Sequence, residues 1–500
     1  MTPGRGEAVS VVAGVRLTGA DRVDPFGDDP VDVHVRDGLI IDIAPAGALP
    51  ARGVVVDGSG GWLVPGLWDH HVHTVQWALT AQRTPLGDVD SAAEAASVMG
   101  RSPVLDDGRR VGTGFRDAFW ADAPSLTLLD EKTGDVPTYL INADVHSVWL
   151  NSAAFRRESI VPTVDGILRE EPAFEISRRL NDLDTAVVDR YVLAALDRAA
   201  ARGVTGIVDL DMAWNADAWT RRLAAGFDGM RVSFGVYPDL LERAIAEGLA
   251  TGDALDPLGL VRVGSLKVIT DGSLGTRTAA CSHPYPDDPH NTGVMTVAPE
   301  NLRALMVRAT GSGLSCAIHA IGDVANSHAL DAFAASGATG TIEHAQLVAH
   351  ADIPRFARLG VGASVQPEHA IDDRDLTDSV WAAQTALPYP LRSLADTGAN
   401  LLFGSDAPVS PLDPWAAMAA AVHRTRGGRE PWRPDQGVSA AVALAASTSG
   451  GSAAGSALEP GAVADLVVVD RDPLTASDAE MRTTQVAATI LAGRLTHIAS

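Results

Sequence analysis

One short apolar run in the middle of the chain reads Val261-Arg262-Val263-Gly264-Ser265-Leu266-Lys267-Val268-Ile269. Other runs of this kind alternate with segments of helical spacing, such as 184–202 and 300–310. The full set of runs is 62–68, 204–210, 230–236, 261–269, 314–318, 340–342, 361–365 and 401–403. Eight alternating units of strand and helix predict an α/β fold, a TIM-like (β/α)8 barrel. A doubly wound sheet is the alternative, but no Gly-rich phosphate loop follows the first run.

The two ends of the chain carry further β-branched runs, separated by turn signals such as Asp37-Gly38. We expect residues 1–60 and 440–500 to form one composite β-sandwich domain, with the catalytic barrel over 61–439. Two unrelated additions to the barrel are the alternative. Roughly 100 residues separate the first two barrel runs, which is far too long for an ordinary loop. Residues 81–183 are therefore expected to form an inserted subdomain.

The composition excludes several classes of function. The chain has 500 residues, 46% of them hydrophobic and 20% charged, which is typical of a globular protein with a large core. A net charge of −24 disfavours binding to nucleic acid or to anionic membranes. Only two cysteines occur, and no run is apolar enough for a membrane span or a signal peptide. We therefore expect a cytoplasmic protein whose partner is a small molecule; a homodimer is compatible with the sequence.

Histidines follow the first barrel run, where the chain reads Asp69-His70-His71-Val72-His73. Side chains two residues apart in an extended strand point to the same face, so His71 and His73 can bind one ion, with Asp69 on the same side. A His-x-His pair is a weak signal by itself, because such pairs also occur by chance on surfaces.

Lysine is rare in this chain, since only Lys132 and Lys267 are found among 39 basic residues. Lys267 lies among apolar residues of the fourth barrel run, where a charged amine is costly. A structural ion pair is one explanation. The other is a neutral amine that captures carbon dioxide and becomes a carbamate, an anionic oxygen ligand that can bridge two metal ions. Arginine cannot form this group.

Three more candidate ligands lie at the ends of later runs. His319 and His344 closely follow the fifth and sixth runs, and Asp406 follows the eighth. A carboxylate at this edge of a barrel can bind a metal and accept a proton. Each residue alone has an ordinary explanation, as a core histidine or a helix cap. The complete set, in order along strands 1, 1, 4, 5, 6 and 8, predicts a metal centre: His71, His73, Lys267, His319, His344 and Asp406.

Several motifs resemble those of the amidohydrolase superfamily, and in particular amidohydrolase family 3, which includes N-substituted formamide deformylases. The similar segments are 65–73, Leu129-Asp130, 144–152, 267–277, 319–323, 342–346, 404–408 and 459–466. The resemblance extends from residue 9 to residue 495. One departure is His70, where the family more often has a small residue, so an extra imidazole is expected near the site.

The resemblance implies a role for each candidate ligand. His71, His73 and Asp406 would hold a first metal ion, His319 and His344 a second, and the Lys267 carbamate would bridge the two. One or two divalent ions are implied, with zinc as the expected metal.

These residues predict a metal-dependent hydrolase that cleaves a non-peptide C–N bond in an amide, formamide or cyclic amide. Metal-activated hydroxide would attack the carbonyl carbon, while Asp406 takes the proton and returns it to the leaving nitrogen. A mononuclear deaminase of an amino-substituted ring is disfavoured by Lys267, and a non-catalytic scaffold by the complete ligand set. The predicted substrate-binding residues are Trp120, His146, Trp149 and Arg277. A small core within the insertion is the alternative role for the first three.

Overall fold

The computed structural model describes residues 4–18, 27, 29–117, 120–143, 146–286, 288–451 and 457–499. The strands are β1 (Val9–Leu17), β2 (Val31–Arg36), β3 (Leu39–Pro45), β4 (Val54–Asp57), β5 (Trp62–Pro65), β6 (Leu67–Val72), β7 (Thr84–Pro85), β8 (Arg110–Phe115), β9 (Thr138–Asn142), β10 (Ser147–Leu150), β11 (Ile167–Arg169), β12 (Val204–Asp209), β13 (Arg231–Val236), β14 (Val261–Ile269), β15 (Cys316–Ala320), β16 (Gly340–His344), β17 (Leu347–Val348), β18 (Gly362–Val365), β19 (Leu387–Pro388), β20 (Leu401–Phe403), β21 (Leu466–Val469), β22 (Val486–Leu491) and β23 (Arg494–Ile498).

The helices are α1 (Thr74–Thr80), α2 (Ala92–Arg101), α3 (Leu126–Thr133), α4 (Ser152–Glu158), α5 (Glu171–Asn181), α6 (Thr185–Ala200), α7 (Asn215–Ala224), α8 (Leu241–Ala246), α9 (Pro299–Thr310), α10 (Asp323–Ser336), α11 (Ile353–Leu359), α12 (Pro367–Asp372), α13 (Arg374–Val380), α14 (Leu391–Asp396), α15 (Pro414–His423), α16 (Ala440–Ala446) and α17 (Asp478–Arg482). Short 3₁₀ helices span Pro238–Leu240, Pro434–Gln436 and Ser449–Gly451. Among the described residues, none of these helices combines the length and the apolar character needed to span a membrane.

The central sheet is the predicted (β/α)8 barrel. Its eight parallel strands run in the spatial order β6-β12-β13-β14-β15-β16-β18-β20. Backbone hydrogen bonds join the ends of the last and first strands. The Asp406 N–H donates to the His71 carbonyl at 2.7 Å, and the His73 N–H donates to the Ala407 carbonyl at 2.9 Å. The closure brings the C-terminal ends of all eight strands to one rim, where barrel active sites form.

The first barrel strand differs from the expected run 62–68. Trp62–Pro65 belongs to the sheet built from the chain ends, and the barrel strand begins at Leu67. Gly66 lies between the two strands. Only glycine fits there, because a Cβ at this position would lie 2.3 Å from Oγ1 of Thr205. The run is apolar throughout because both of its halves are buried, so its pattern does not show that it changes sheets.

The sheet of the chain ends has the order β23-β22-β21-β5-β1-β2-β3, with β4 paired to β1. It confirms that both termini build one small β domain. Its core is purely aliphatic, with Val12, Leu63, Val468 and Ile490 among the buried side chains. The first tail strand begins only at Leu466, whereas the segment after residue 440 starts with α16, which contacts barrel strand β20. The first strand that the tail contributes to this sheet therefore begins later in the chain than residue 440.

The segment Val75–Ala195 forms a compact unit of its own, here called the inserted unit. It has a mixed sheet in the order β7-β8-β9-β10-β11, in which β7, β8 and β9 are parallel and β10 and β11 antiparallel. Two small apolar cores lie within it. The unit is longer at both ends than the expected 81–183, because it takes in α1 and the first part of α6. The motif residues Asp144 and Val145 lie outside the described part of the chain.

Candidate metal centre

The predicted ligands all lie on barrel strands or directly after them. His71 lies near the end of β6, and His73 follows that strand. Lys267, His319 and His344 lie in the neighbouring strands β14, β15 and β16, and Asp406 follows β20. Since parallel strands end at the same rim, the barrel brings together residues that are far apart in the sequence.

The first three ligands approach one another around the Asp406 carboxylate. Its Oδ1 atom lies 3.2 Å from Nε2 of His73 and 3.5 Å from Nε2 of His71. The alternation of side chains along β6 places both histidines on the same face, as the spacing predicts. Two imidazole nitrogens and a carboxylate oxygen directed at one point are the donor set of a divalent metal site.

His344 and His319 extend this group. Possible ligand atoms of His71, His344 and Asp406 all lie within 4.8 Å of one another. The imidazole centroids are 4.9 Å apart for His71 and His344, and 4.5 Å apart for His344 and His319. The four histidines therefore form a continuous row in the order His73, His71, His344 and His319, with Asp406 beside its first members.

The hydrogen bonds of two histidines leave one particular nitrogen free. Nδ1 of His71 lies 2.7 Å from Oε2 of Glu343, and Nδ1 of His344 lies 2.8 Å from Oε1 of Gln366. Both partners are oxygen acceptors, so each Nδ1 donates a proton and each Nε2 keeps its lone pair. Burial lowers the pKa of His71 to about 4 and that of His344 well below its usual value. Both rings are therefore neutral near pH 7 and suited to bind a metal through Nε2.

Glu343 itself is a buried carboxylate. Burial alone would raise its pKa, but the hydrogen bond from His71 and the nearby Lys267 lower it to about 2. An ionised acceptor of this kind makes the His71 ring more basic and holds its orientation.

His319 contacts a different carboxylate. Its Nε2 atom lies 3.4 Å from Oδ1 of Asp271, a residue that is fully enclosed. Asp271 accepts hydrogen bonds of 2.9 to 3.0 Å from the backbone N–H groups of Ala280, Ile321 and Gly322. These bonds hold the carboxylate in place beside the ring. Nε2 of His319 has no hydrogen-bond partner among the described residues, so this nitrogen is open to a metal.

Lys267 is buried without a partner. Only 2% of the residue is exposed, and its Nζ atom has no hydrogen-bond partner among the described residues. Burial lowers the pKa of this amine, although the charges of Glu343 and Asp406 act in the opposite direction. A structural ion pair would show a hydrogen-bonded carboxylate at Nζ. The surroundings instead favour a neutral amine, the form that reacts with carbon dioxide.

Asp406 combines a low pKa with an unusual backbone. Burial alone would raise the pKa of its carboxyl, but the charge that His71 carries when protonated and the hydrogen bond from His73 lower it well below its usual value. Its φ angle is 55°, and that of His344 is 75°, both in the left-handed region that non-glycine residues rarely adopt. Such strain occurs at functional sites, where the surrounding structure holds the residue in place.

These residues fit a divalent metal ion. The free Nε2 atoms of His71 and His344 face the Asp406 carboxylate, and a buried amine without a partner lies beside them. The imidazole and carboxylate lone pairs repel one another, so this arrangement costs free energy unless a positive charge lies between them.

The residues that orient the candidate ligands were not predicted from the sequence. Glu343 and Gln366 hold two of the histidines by hydrogen bonds, Asp271 lies beside His319, and His369 lies close to His344. All four lie at or after the ends of barrel strands. No site residue was predicted after the seventh run, 361–365, although Gln366 and His369 lie within four residues of its end. A check of the residues after every strand end would have found them.

Asp69 was expected on the same side as His71 and His73. The structure shows its carboxylate bound to backbone instead, because it accepts N–H bonds from Ser405 at 2.9 Å and from His71 at 3.1 Å. Burial raises the pKa of Asp69 to about 7. The residue thus joins the end of β20 to β6 and positions the ligands that follow.

The predicted substrate-binding residues have different surroundings. Trp149 is completely buried in a core of the inserted unit, next to Phe115 and Met99. This burial favours the alternative role in a small core, and the substrate-binding role of Trp149 stays a prediction. Trp120 is half-buried and donates through Nε1 to the Val89 carbonyl at 3.0 Å.

His146 is half-exposed, with Nδ1 3.1 Å from Oε2 of Glu170. Arg277 lies in the loop after β14 with a left-handed φ of 56°. The substrate-binding roles of Trp120, His146 and Arg277 stay predictions.

A cavity of about 1000 Å³ lies at the opposite end of the barrel, where β13 and β14 begin. Trp68, Arg231 and Asp465 are among its lining residues, and His70 borders it. His70 does not join the row of ligands, since its Nδ1 lies 3.0 Å from the Phe403 carbonyl oxygen.

Comparison with known proteins agrees with this geometry. A family model described as the amidohydrolase family matches residues 54–497. The chain belongs to this family. The resemblance seen in the motifs is confirmed, and with the barrel it identifies a metal-dependent hydrolase.

Two curated relatives and one solved structure illustrate the similarity. The N-substituted formamide deformylase of Arthrobacter pascens is 27% identical, covering 90% of this chain and 91% of the relative. Protein LONG AFTER FAR-RED 3 of Arabidopsis thaliana is 28% identical, covering 89% of this chain and 84% of the relative. The crystal structure of an uncharacterized metal-dependent hydrolase from Pyrococcus horikoshii OT3 has a TM-score of 0.79 and 26% identity, covering 94% of this chain and 99% of that chain.

Proposed function

We propose that this amidohydrolase cleaves a non-peptide C–N bond, in an amide, formamide or cyclic amide, at a centre of one or two divalent metal ions. The observation that carries the proposal is the orientation of two rings. Glu343 and Gln366 fix Nδ1 of His71 and His344, so that both Nε2 lone pairs face the Asp406 carboxylate. Zinc suits this donor set of neutral imidazoles and carboxylates, all of which bind it in hydrolases.

The ligands divide between two positions. His71, His73 and Asp406 would hold the first ion, and His319 and His344 the second. Lys267, as a carbamate, would lie between them, a role supported by its buried Nζ without a hydrogen-bond partner among the described residues. When bound, a divalent ion supplies Lewis acidity, which makes water a better nucleophile and a carbonyl carbon a better target.

The residues of the chain supply the proton transfers. The Asp406 carboxylate is ionised near pH 7, because the imidazoles beside it keep its pKa low. It accepts a proton from the attacking water and then donates this proton to the leaving nitrogen, which departs as an amine. Glu343 and Gln366 keep the rings of His71 and His344 in orientation during this cycle.

The choice of a C–N bond draws on the relatives. A protein that is 27% identical over 90% of this chain is an N-substituted formamide deformylase. The mechanism above suits such a bond because Asp406 can protonate a leaving nitrogen. A location in the cytoplasm fits the two cysteines, which are both buried and free.

The test is a screen of zinc-loaded protein against N-formyl amines, N-acyl amino acids and cyclic amides, with amine release as the signal. We expect turnover of at least one class, and none after metal removal. The Asp406→Asn variant controls for contaminating hydrolases. Release of ammonia from amino-substituted rings, with all amides untouched, would support a deaminase and contradict the proposal.

A further inference from the structure

His369 is a histidine at the catalytic rim to which no role has been assigned. It lies in α12, which follows the seventh barrel strand β18, and 6% of it is exposed. Its ring is nearly parallel to that of His344, with an interplanar angle of 10° and centroids 6.4 Å apart. The seventh strand therefore contributes an imidazole beside the proposed ligands.

The hydrogen bonding of His369 differs from that of the ligand histidines. Its Nδ1 lies 3.5 Å from Nε2 of Gln346, and an amide nitrogen can only donate. With the amide in this orientation Nδ1 is the acceptor, and the neutral ring then carries its proton on Nε2. In His71 and His344 the arrangement is reversed, with the lone pair on Nε2. His369 thus presents an N–H group where the ligands present lone pairs.

This N–H group has no partner. Nε2 of His369 is buried without a hydrogen bond to any described residue, and Oε1 of Gln346 is in the same situation. Buried donors are almost always satisfied, so an orphaned donor at a catalytic rim indicates a group that is bound during function.

We propose that His369 is a substrate-binding residue whose Nε2–H donates a hydrogen bond to the carbonyl oxygen of the amide. The inference rests on the proposed function and adds the residue that recognises its carbonyl group. Attack on the carbonyl carbon moves negative charge to this oxygen, so a donor fixed in a buried position stabilises the transition state more than the substrate.

The test compares His369→Phe, which keeps a ring without a donor, with His369→Gln, whose amide offers an N–H at a similar distance. His34→Phe is the matched control, since His34 lies in β2 of the terminal sheet and its buried Nε2 also lacks a hydrogen bond in the described structure. All proteins are loaded with zinc. Their metal content is measured by elemental analysis, and their affinity for acetohydroxamate by calorimetry, because this probe has an amide-like carbonyl and binds zinc.

We expect His369→Phe to keep its metal content, to bind acetohydroxamate roughly 10-fold more weakly, and to lose roughly 100-fold in kcat/KM on any amide found in the screen. His369→Gln should restore part of the affinity for acetohydroxamate and part of kcat/KM. The control His34→Phe should match wild type in both. A drop in metal content of the Phe and Gln variants would make His369 a ligand and overturn the proposal. Unchanged affinity and turnover would overturn it as well. If wild type binds the probe but hydrolyses no amide, the proposed function fails, while the comparison of variants still decides the role of His369.

Discussion

Nδ1 of His71 lies 2.7 Å from Oε2 of Glu343, and both side chains are almost fully buried. Glu343 is the residue before His344 and lies in β16, whereas His71 lies in β6. One strand therefore supplies both a candidate ligand and the carboxylate that orients another. The contact decides which nitrogen of His71 is free, and so which atom can bind a metal.

Glu343→Gln tests this orienting contact. The amide is nearly isosteric but carries no charge, so the His71 ring becomes less basic and less firmly held. We expect metal affinity to fall by about 10- to 100-fold, as found for such partners elsewhere. Equilibrium dialysis against zinc measures the change, and Glu158→Gln in the inserted unit is the control. Equal affinity in both variants would show that Glu343 has no part in metal binding.

Asp406→Asn tests the proton transfer. A carboxamide cannot accept and return a proton, so turnover should fall by about 10²- to 10⁴-fold. The fold should persist, because the Asp406 N–H that bonds to the His71 carbonyl at 2.7 Å belongs to the backbone. Steady-state kinetics and circular dichroism measure the two effects, with Asp465→Asn at the far end of the barrel as control. Activity within about threefold of wild type would assign the proton transfer to another group.

Two substitutions of Lys267 distinguish a carbamate at this position from a structural ion pair. Lys267→Arg keeps the charge but cannot form a carbamate, so we expect most activity to be lost. Lys267→Ala should be equally inactive, but acetate or propionate at high concentration should restore part of the activity by entering the vacated space. An ion pair predicts the opposite order, with Arg tolerated, Ala unstable and the acids without effect. Activity and thermal unfolding of both variants, with and without acid, decide between them.

Metal content is the most direct measurement. Protein expressed with added zinc should contain one or two ions per chain, because the donor set divides into two groups that share Lys267. Chelation should abolish activity, and zinc at about 100 times its Kd should raise the free energy of unfolding by about 2.7 kcal/mol. Elemental analysis and thermal scans measure both. Fewer than about half an ion per chain, with no gain on reconstitution, would contradict a metal centre of this kind.

Trp149→Ala distinguishes a packing role of this residue from the predicted substrate contact. Removing a completely buried indole should cost about 3 to 5 kcal/mol of unfolding free energy. Urea unfolding followed by circular dichroism measures the loss, and Trp120→Ala, at a half-buried position, should cost less. A stable Trp149→Ala protein with a strongly raised KM would return this residue to the substrate site.

Most of the fold could be predicted because it depends on local patterns. Runs of β-branched residues bounded by turns showed seven of the eight barrel strands within a few residues of their observed ends, and 261–269 matched β14 completely. The first barrel strand was misplaced because burial on both sides hides the change of sheet at Gly66. The start of the tail strands is hidden for a similar reason, since α16 and the tail strands are both apolar.

The candidate ligands were also visible in the sequence. A histidine, lysine or aspartate at the end of a strand must lie at the rim once the barrel closes, so strand order alone grouped the six residues. Trp149 shows the limit of this reasoning, because an aromatic residue in an insertion has the same sequence signature whether it packs in a core or contacts a substrate.

The sequence alone thus determined the barrel and the terminal β domain and predicted which residues are candidate ligands, since these follow from periodicity and from position along each strand. Only the tertiary structure decided how the ligands are oriented. The contacts of His71 with Glu343, of His344 with Gln366 and of His369 with Gln346 join different strands and loops, and each one sets which ring nitrogen carries the proton. That choice depends on distances of about 3 Å between side chains far apart in the chain, and no local pattern encodes it.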